Sequence, residues 1–125
     1  MTGQPITVAL ADDHGMVRAG LRLLLEAEPD LHVVAEARDA DEALAQVGEH
    51  EPDVLVLDLN MPGRPPVEAI GDLLEAMPGG AIVVMTMEDD PVFAREALAS
   101  GASAYVLKEG ADAELVTAIR AAAGG

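Results

Sequence analysis

The sequence predicts an α/β fold, an open parallel sheet of five strands with helices packed on both faces. Three observations carry that prediction. Short apolar runs alternate with longer amphipathic stretches, five of each, along the 125 residues. Several runs (TVALA, VLVL, AIVVM) are nearly continuous hydrophobics, as in strands buried on both faces. Polar residues collect just beyond the ends of the runs and are almost missing within them.

The elements follow in order. Ile6 to Ala11 is the first strand. Met16 to Glu28 reads as a helix, with Val17, Leu21, Leu24 and Leu25 on one face, Arg18, Arg22 and Glu26 on another, and Pro29 as its stop. His32 to Ala37 is a more mixed run, suited to a sheet edge. Asp39 caps a second helix that runs to about Glu49, and Glu42 stands at capping-box spacing from it. Val54 to Leu57 is the third strand, and Pro65-Pro66 starts a helix that ends near Met77-Pro78-Gly79-Gly80. Ala81 to Met85 is the fourth strand, and the helix after it opens at Asp90-Pro91 and closes at Gly101. Ala104 to Leu107 is the last strand, and Asp112 opens a final helix to about Ala122. Short connections and right-handed crossovers arrange such a chain as one doubly wound domain, residues 1–125.

Composition narrows the function classes. Half the residues are apolar, yet Phe93 and Tyr105 are the only aromatics, so the core is aliphatic. The absence of Cys excludes disulfides and thiolate metal sites. No apolar run reaches the roughly 18 residues of a membrane span, and MTGQPIT lacks the features of a signal peptide. A soluble, cytoplasmic domain is expected. Lys and Arg total 7 against 23 Asp and Glu, a net charge of -16. Such a surface repels phosphate backbones, so this segment is not expected to bind DNA by itself.

In open α/β sheets the ligand site lies beyond the carboxyl ends of the strands. Here the first strand leads into Asp12-Asp13, the third into Asp58, the fourth into Thr86 and the fifth into Lys108. Each residue alone has an ordinary reading: Asp13 as a helix cap, Asp58 as a turn residue before Met61-Pro62-Gly63, Lys108 as a solvated lysine. Four such ends at one edge do not. Three converging carboxylates favour a cation, and an all-oxygen set suits a hard divalent ion such as Mg²⁺. A metal, an ammonium and a hydroxyl around one carboxylate can stabilise a phosphoryl group in transfer, with Asp58 as nucleophile.

With these residues in place, the sequence resembles the receiver domain of two-component response regulators over essentially its whole length. The resemblance rests on Asp12-Asp13, Asp58, Thr86 and Lys108, together with Met61-Pro62-Gly63 and Tyr105. DDHGMVRAGLRLLLE and YVLKEGADAELVTAIRA are similar to the subfamily that carries a C-terminal LuxR/NarL-type helix-turn-helix. The resemblance implies a flavodoxin-like (βα)5 fold with strand order 2-1-3-4-5. It implies a signalling switch rather than an enzyme, limited to self-catalysed phosphoryl acceptance and slow autodephosphorylation. Asp58 would take the phosphoryl group from a sensor histidine kinase. Asp12, Asp13, Asp58 and the Asn60 backbone carbonyl would hold Mg²⁺, with Asp13 the direct ligand of the acidic pair. Lys108 would bind phosphoryl oxygens, Thr86 would move toward them, and Tyr105 would rotate inward. The face of the fourth helix, fifth strand and fifth helix would read the change out. The resemblance further implies a possible homodimer on phosphorylation, DNA contact only through a C-terminal domain, and no membrane contact. His14 is read as a subfamily marker, not as a base.

Some residues depart from the family pattern. Pro65 and Pro66 stand where an acid and a glycine are usual, so the loop beside Asp58 should be stiffer. Met87 follows Thr86 in place of a small residue and would, with Asn60, tune access to the phosphoryl group. Glu109 follows Lys108 where proline is common, which leaves open whether that peptide is cis. A phosphorylation-independent interaction module stays in play on the strength of these departures. A hydrolase of the aspartyl-phosphate type is disfavoured, because Asn60 stands where its second acid belongs and 125 residues leave little room for a cap. No phosphate-binding glycine motif suggests a nucleotide site.

Overall fold

A computed structural model of the chain describes residues 4–87, 91–108 and 111–124. Strands β1 (Ile6–Ala11), β2 (Leu31–Ala37), β3 (Val54–Asp58), β4 (Ala81–Thr86) and β5 (Ala104–Leu107) alternate with helices α1 (Gly15–Glu26), α2 (Ala40–His50), α3 (Pro66–Ala76), α4 (Pro91–Ala99) and α5 (Ala111–Gly124). All strand pairs are parallel, in the order β2-β1-β3-β4-β5. That is the expected flavodoxin-like arrangement.

Period-two alternation sorts each strand between two aliphatic layers. Ala9, Ala11, Leu55, Leu57, Ile82 and Val84 face one way and pack with Ala43 and Val47 of α2, Ile70 and Leu73 of α3, and Ala97 of α4. Val8, Leu10, Val54, Val56, Val83 and Met85 face the other way and meet Leu25 of α1 and Leu115, Val116 and Ile119 of α5. Both faces are covered, which is why the central strands read as unbroken apolar runs. β2 is the sheet edge, and its exposed His32 alternates with buried Leu31 and Val33.

The structure moves several boundaries. β3 and β4 each run one residue further than their apolar runs, so Asp58 and Thr86 are strand residues, paired with Met85 and Leu107. α1 ends at Glu26, two residues short of the predicted Glu28, because Pro29 disfavours helical geometry at the residue before it. Asp39 does cap α2, accepting from the Glu42 amide at 2.7 Å. The Glu42 carboxylate, however, accepts from the Arg38 amide at 2.9 Å, so the reciprocal half of the box is displaced by one residue. α3 starts as expected, with Pro66 at its first position. α4 closes at Gly101, whose φ of 120° glycine adopts at little cost and a residue with a Cβ only under strain. Asp90 and the Lys108–Glu109 peptide, two points of the sequence reading, lie outside the described residues. Among the described residues no helix is long and apolar enough to cross a membrane.

The strand order matters for function. The chain winds from β1 to β2 in one direction and from β3 to β5 in the other, so the carboxyl ends of β1 and β3 flank the switch point. Asp12 follows β1 and Asp58 closes β3.

Candidate functional site

Two identical pieces of local chemistry shape the site. Asp12 Oδ1 accepts from the His14 amide at 2.8 Å, and Asp58 Oδ1 accepts from the Asn60 amide at 2.9 Å. Each acid thus folds the chain after its strand into a turn closed by its own side chain. One oxygen of each carboxylate is consumed by this turn, and the second, Oδ2, is left for the site.

Those second oxygens meet one cation. Lys108 Nζ lies 3.0 Å from Asp58 Oδ2 and 3.1 Å from Asp12 Oδ2. The lysine is placed by the sheet itself, since its amide continues the β4–β5 ladder to the Thr86 carbonyl at 2.8 Å. Asp12 (2% exposed), Asp58 (1%) and Thr86 (0%) are the buried polar residues among the described residues, and all belong to this cluster. A buried charge needs a partner or a proton. Three carboxylates, counting Asp13, face one ammonium, so the site carries negative charge in excess.

The electrostatics follow. Burial pushes the Asp58 carboxyl above 3.8, and the Asn60 amide and Lys108 offset this only in part. Burial alone would lower the Lys108 ammonium, but the Asp58 and Asp12 carboxylates outweigh it and hold it above 10.5. Asp12 Oδ2 and Asp13 Oδ1 are buried and make no hydrogen bond; the Lys108 contact to Asp12 is an ion pair without hydrogen-bond geometry. Unsatisfied carboxylate oxygens in a net-negative pocket fit a divalent cation bound by oxygen. The Asp13 carboxylate is not a helix cap, since His14 is the N-cap of α1 and no side chain caps the helix.

At the end of β4, Asn60 Oδ1 accepts from the Thr86 hydroxyl at 3.2 Å and from the Met87 amide at 3.0 Å. Thr86 is therefore held toward Asn60 in this state. The Met87 side chain is largely exposed, and with His14, Val17 and Lys108 it lines a cleft of about 430 Å³ over the site. Tyr105 is half-buried on β5, packed against the layer below α3 and α4. Beside Asp58, Arg64 reaches Asp72 of α3 at 2.7 Å and ties down the proline-containing loop.

A family profile described as the response regulator receiver domain matches residues 8–120. The chain belongs to this family. It is 42% identical over 114 residues to the oxygen regulatory protein NreC of Staphylococcus epidermidis, covering 90% of this chain and 52% of that protein. It is 39% identical over 125 residues to the transcriptional regulatory protein YxjL of Bacillus subtilis, covering 100% of this chain and 57% of that protein. This receiver thus spans about half the length of the curated relatives it matches. Among solved structures, a LuxR-family two-component response regulator from Aurantimonas sp. superposes with a TM-score of 0.91 at 41% identity, over 98% of this chain and 87% of that one. The signal receiver domain of NarL from Mycobacterium tuberculosis gives 0.91 at 29% identity, over 98% and 99%. The receiver is of the LuxR/NarL type.

The structure also brings in residues that the sequence reading assigned elsewhere. The sequence places Val17 on the apolar face of α1 and Arg18 on the charged one, yet Arg18 is the more enclosed of the two. Val17 is exposed at the cleft, whereas Arg18 turns inward and donates to the Asp12 carbonyl at 2.6 Å and to Glu36 Oε1 at 2.8 Å. Arg22 pairs with the other oxygen of Glu36. This chain of ions fixes the backbone of the acidic turn from behind. Its only trace in the sequence is that two of a mere 7 basic residues fall within one short helix beside the acids. His14, too, stands within the donor cluster, its Nδ1 3.3 Å from Asp13 Oδ1.

Glu36 supplies a pH test of this network. Burial raises its carboxyl, but the Arg18 and Arg22 hydrogen bonds prevail and hold it below 4.5. A lowered folded value stabilises the fold above the unfolded value, and that contribution is lost as pH falls through the folded one. The Glu36→Gln variant is expected to be less stable than wild type in urea unfolding near pH 7, by about 1 kcal/mol at most, and the difference is expected to narrow as pH falls below 4.5.

Proposed function

We propose that this receiver accepts a phosphoryl group on Asp58 from a phosphohistidine of a sensor histidine kinase. The observation that supports this reading is the pairing of a buried carboxylate, Asp58, with Lys108 at 3.0 Å inside a cluster of unsatisfied acidic oxygens. In the step, an Asp58 oxygen attacks phosphorus, the P–N bond breaks, and the imidazole leaves with the bonding electrons and takes up a proton. Lys108 neutralises phosphoryl oxygens and Thr86 donates its hydroxyl to them. Mg²⁺, when bound, screens the charge between the carboxylate and the phosphoryl group. Asp12, Asp13, Asp58 and the Asn60 carbonyl would hold it, Asp13 directly.

Phosphorylation then shifts a two-state element. Thr86 leaves Asn60 for the phosphoryl group, Tyr105 moves into the space behind it, and the α4–β5–α5 face changes shape. Exposed Val92 and Leu98 on α4 suit that face to a homodimer partner or an output domain. Transcriptional output through a C-terminal helix-turn-helix is supported by the likeness to longer regulators. DNA contact belongs to that domain, since this one is strongly acidic. The protein acts in the cytoplasm, and its chemistry is limited to accepting and slowly hydrolysing the phosphoryl group.

Intact mass after acetyl phosphate and Mg²⁺ tests the reading: a gain of about 80 Da is expected, and none without Mg²⁺. Met87 gives a second prediction. Its side chain at the cleft screens the acyl phosphate from water, so Met87→Ala is expected to admit water and shorten the phosphoryl half-life about threefold. An unchanged or longer half-life would count against the screening role.

A further inference from the structure

Each polar atom of Asp12 has a partner. Its amide donates to the Ala37 carbonyl at the end of β2 at 3.0 Å, and its Oδ1 accepts from the His14 amide at 2.8 Å. Its Oδ2 stands 3.1 Å from the Lys108 ammonium. Its carbonyl oxygen accepts from the Arg18 guanidinium at 2.6 Å. Of these four partners, Arg18 is the one that belongs to a helix, α1.

The carbonyl matters because of what shares its peptide plane. A peptide unit is rigid and planar, so the Asp12 carbonyl turns together with the Asp13 amide and Cα. A guanidinium on that oxygen sets the tilt of the peptide that joins the two acids. The guanidinium is itself fixed. Its Nε donates to Glu36 Oε1 at 2.8 Å, the other Glu36 oxygen takes Arg22, and the Arg18 side chain is 19% exposed. A planar fork with one edge on a carboxylate and another on a carbonyl keeps little freedom. Charge alone argues against this placement. A guanidinium this near the acids repels a divalent cation, so its removal would by Coulomb's law favour cation binding. Glu36 offsets part of that charge, and what Arg18 adds to the site is geometry.

We propose that Arg18 is a positioning residue of the cation site: by holding the Asp12–Asp13 peptide it presets the two carboxylates, and so raises the affinity for Mg²⁺ in spite of its own charge. The proposal rests on the reading that these acids bind Mg²⁺ for phosphoryl transfer.

Mg²⁺ titration followed by amide chemical shifts tests it with no phosphoryl donor present. In Arg18→Met, which replaces the stem without the guanidinium, Mg²⁺ affinity is expected to fall about tenfold, as when a partner that orients metal ligands is lost. Arg22→Met is the control, because Arg22 joins the network through Glu36. Its Mg²⁺ affinity is expected to stay within about twofold of wild type. Arg18→Lys keeps the charge but cannot fork between the Asp12 carbonyl and Glu36, and is expected to lose about threefold. Unchanged or tighter binding in Arg18→Met overturns the proposal, since charge alone predicts that result. An equal loss in Arg22→Met also overturns it, because the effect then belongs to the stability of the network. Should Arg18→Met fail to fold, wild-type affinity in Arg18→Lys overturns the proposal. A wild type that does not respond to Mg²⁺ removes the metal reading and the proposal with it, an outcome distinct from the other three.

Discussion

Asp58→Asn is expected to abolish phosphorylation by acetyl phosphate while making the metal-free protein more stable at neutral pH. The two effects have one cause. Asp58 is 1% exposed, and burial holds its carboxyl above the ordinary value of 3.8. A raised folded value stabilises the fold below the unfolded value, and that contribution disappears as pH rises through the folded one. At neutral pH the ionised Asp58 therefore costs stability, and a neutral amide of the same shape removes that cost, by about 1 kcal/mol. The amide is no nucleophile, so the gain of about 80 Da should be absent. Stability and labelling thus move in opposite directions. A variant that is stable and unlabelled assigns the chemistry to Asp58; a variant that still labels fully removes the assignment. Mg²⁺-dependent stabilisation should shrink in the same variant.

Lys108→Ala is expected to produce the opposite stability change. Asp12 Oδ2 and Asp58 Oδ2 lose their common cation, and both carboxylates are nearly inaccessible to water. Removing one partner of a buried ion pair costs about 3 kcal/mol, lessened here as the acid pair takes up a proton. Urea unfolding without Mg²⁺ should show that loss. Saturating Mg²⁺ should restore most of it, because a divalent cation supplies the missing positive charge, while labelling stays slow without an ammonium for the phosphoryl oxygens. A variant as stable as wild type without Mg²⁺ would mean that Lys108 does not neutralise the buried acids.

Much of this was legible in the residue order. The continuous runs TVALA, VLVL and AIVVM identify strands covered on both faces because layers of helices bury alternate residues on each side. The site was legible because strands this apolar leave polar residues only at their ends, and the strand order sets those ends side by side. What was not legible depends on contacts between elements. Val17 and Arg18 are neighbours on one helix, and hydrophobicity assigns Val17 inward. The structure turns Arg18 inward because Asp12 offers a carbonyl and Glu36, on the edge strand, offers a carboxylate. Glu36 lies 18 residues from Arg18 in sequence, on another element. The same holds for Glu42, whose spacing from Asp39 predicts a box but whose carboxylate takes the Arg38 amide instead. Asp13 as direct ligand, Asn60 through its carbonyl, and the movements of Thr86 and Tyr105 are proposals that concern a phosphorylated, metal-bound state.

Reductive trapping asks most directly whether Asp58 carries an acyl phosphate. Borohydride reduces the acyl carbon of an aspartyl phosphate to an alcohol, which leaves homoserine in the chain. After treatment with acetyl phosphate and Mg²⁺, peptide mapping is expected to find homoserine at position 58 alone, and none when Mg²⁺ is withheld. Homoserine at another aspartate, or a phosphate that survives reduction on Thr86 or a histidine, would contradict the assignment.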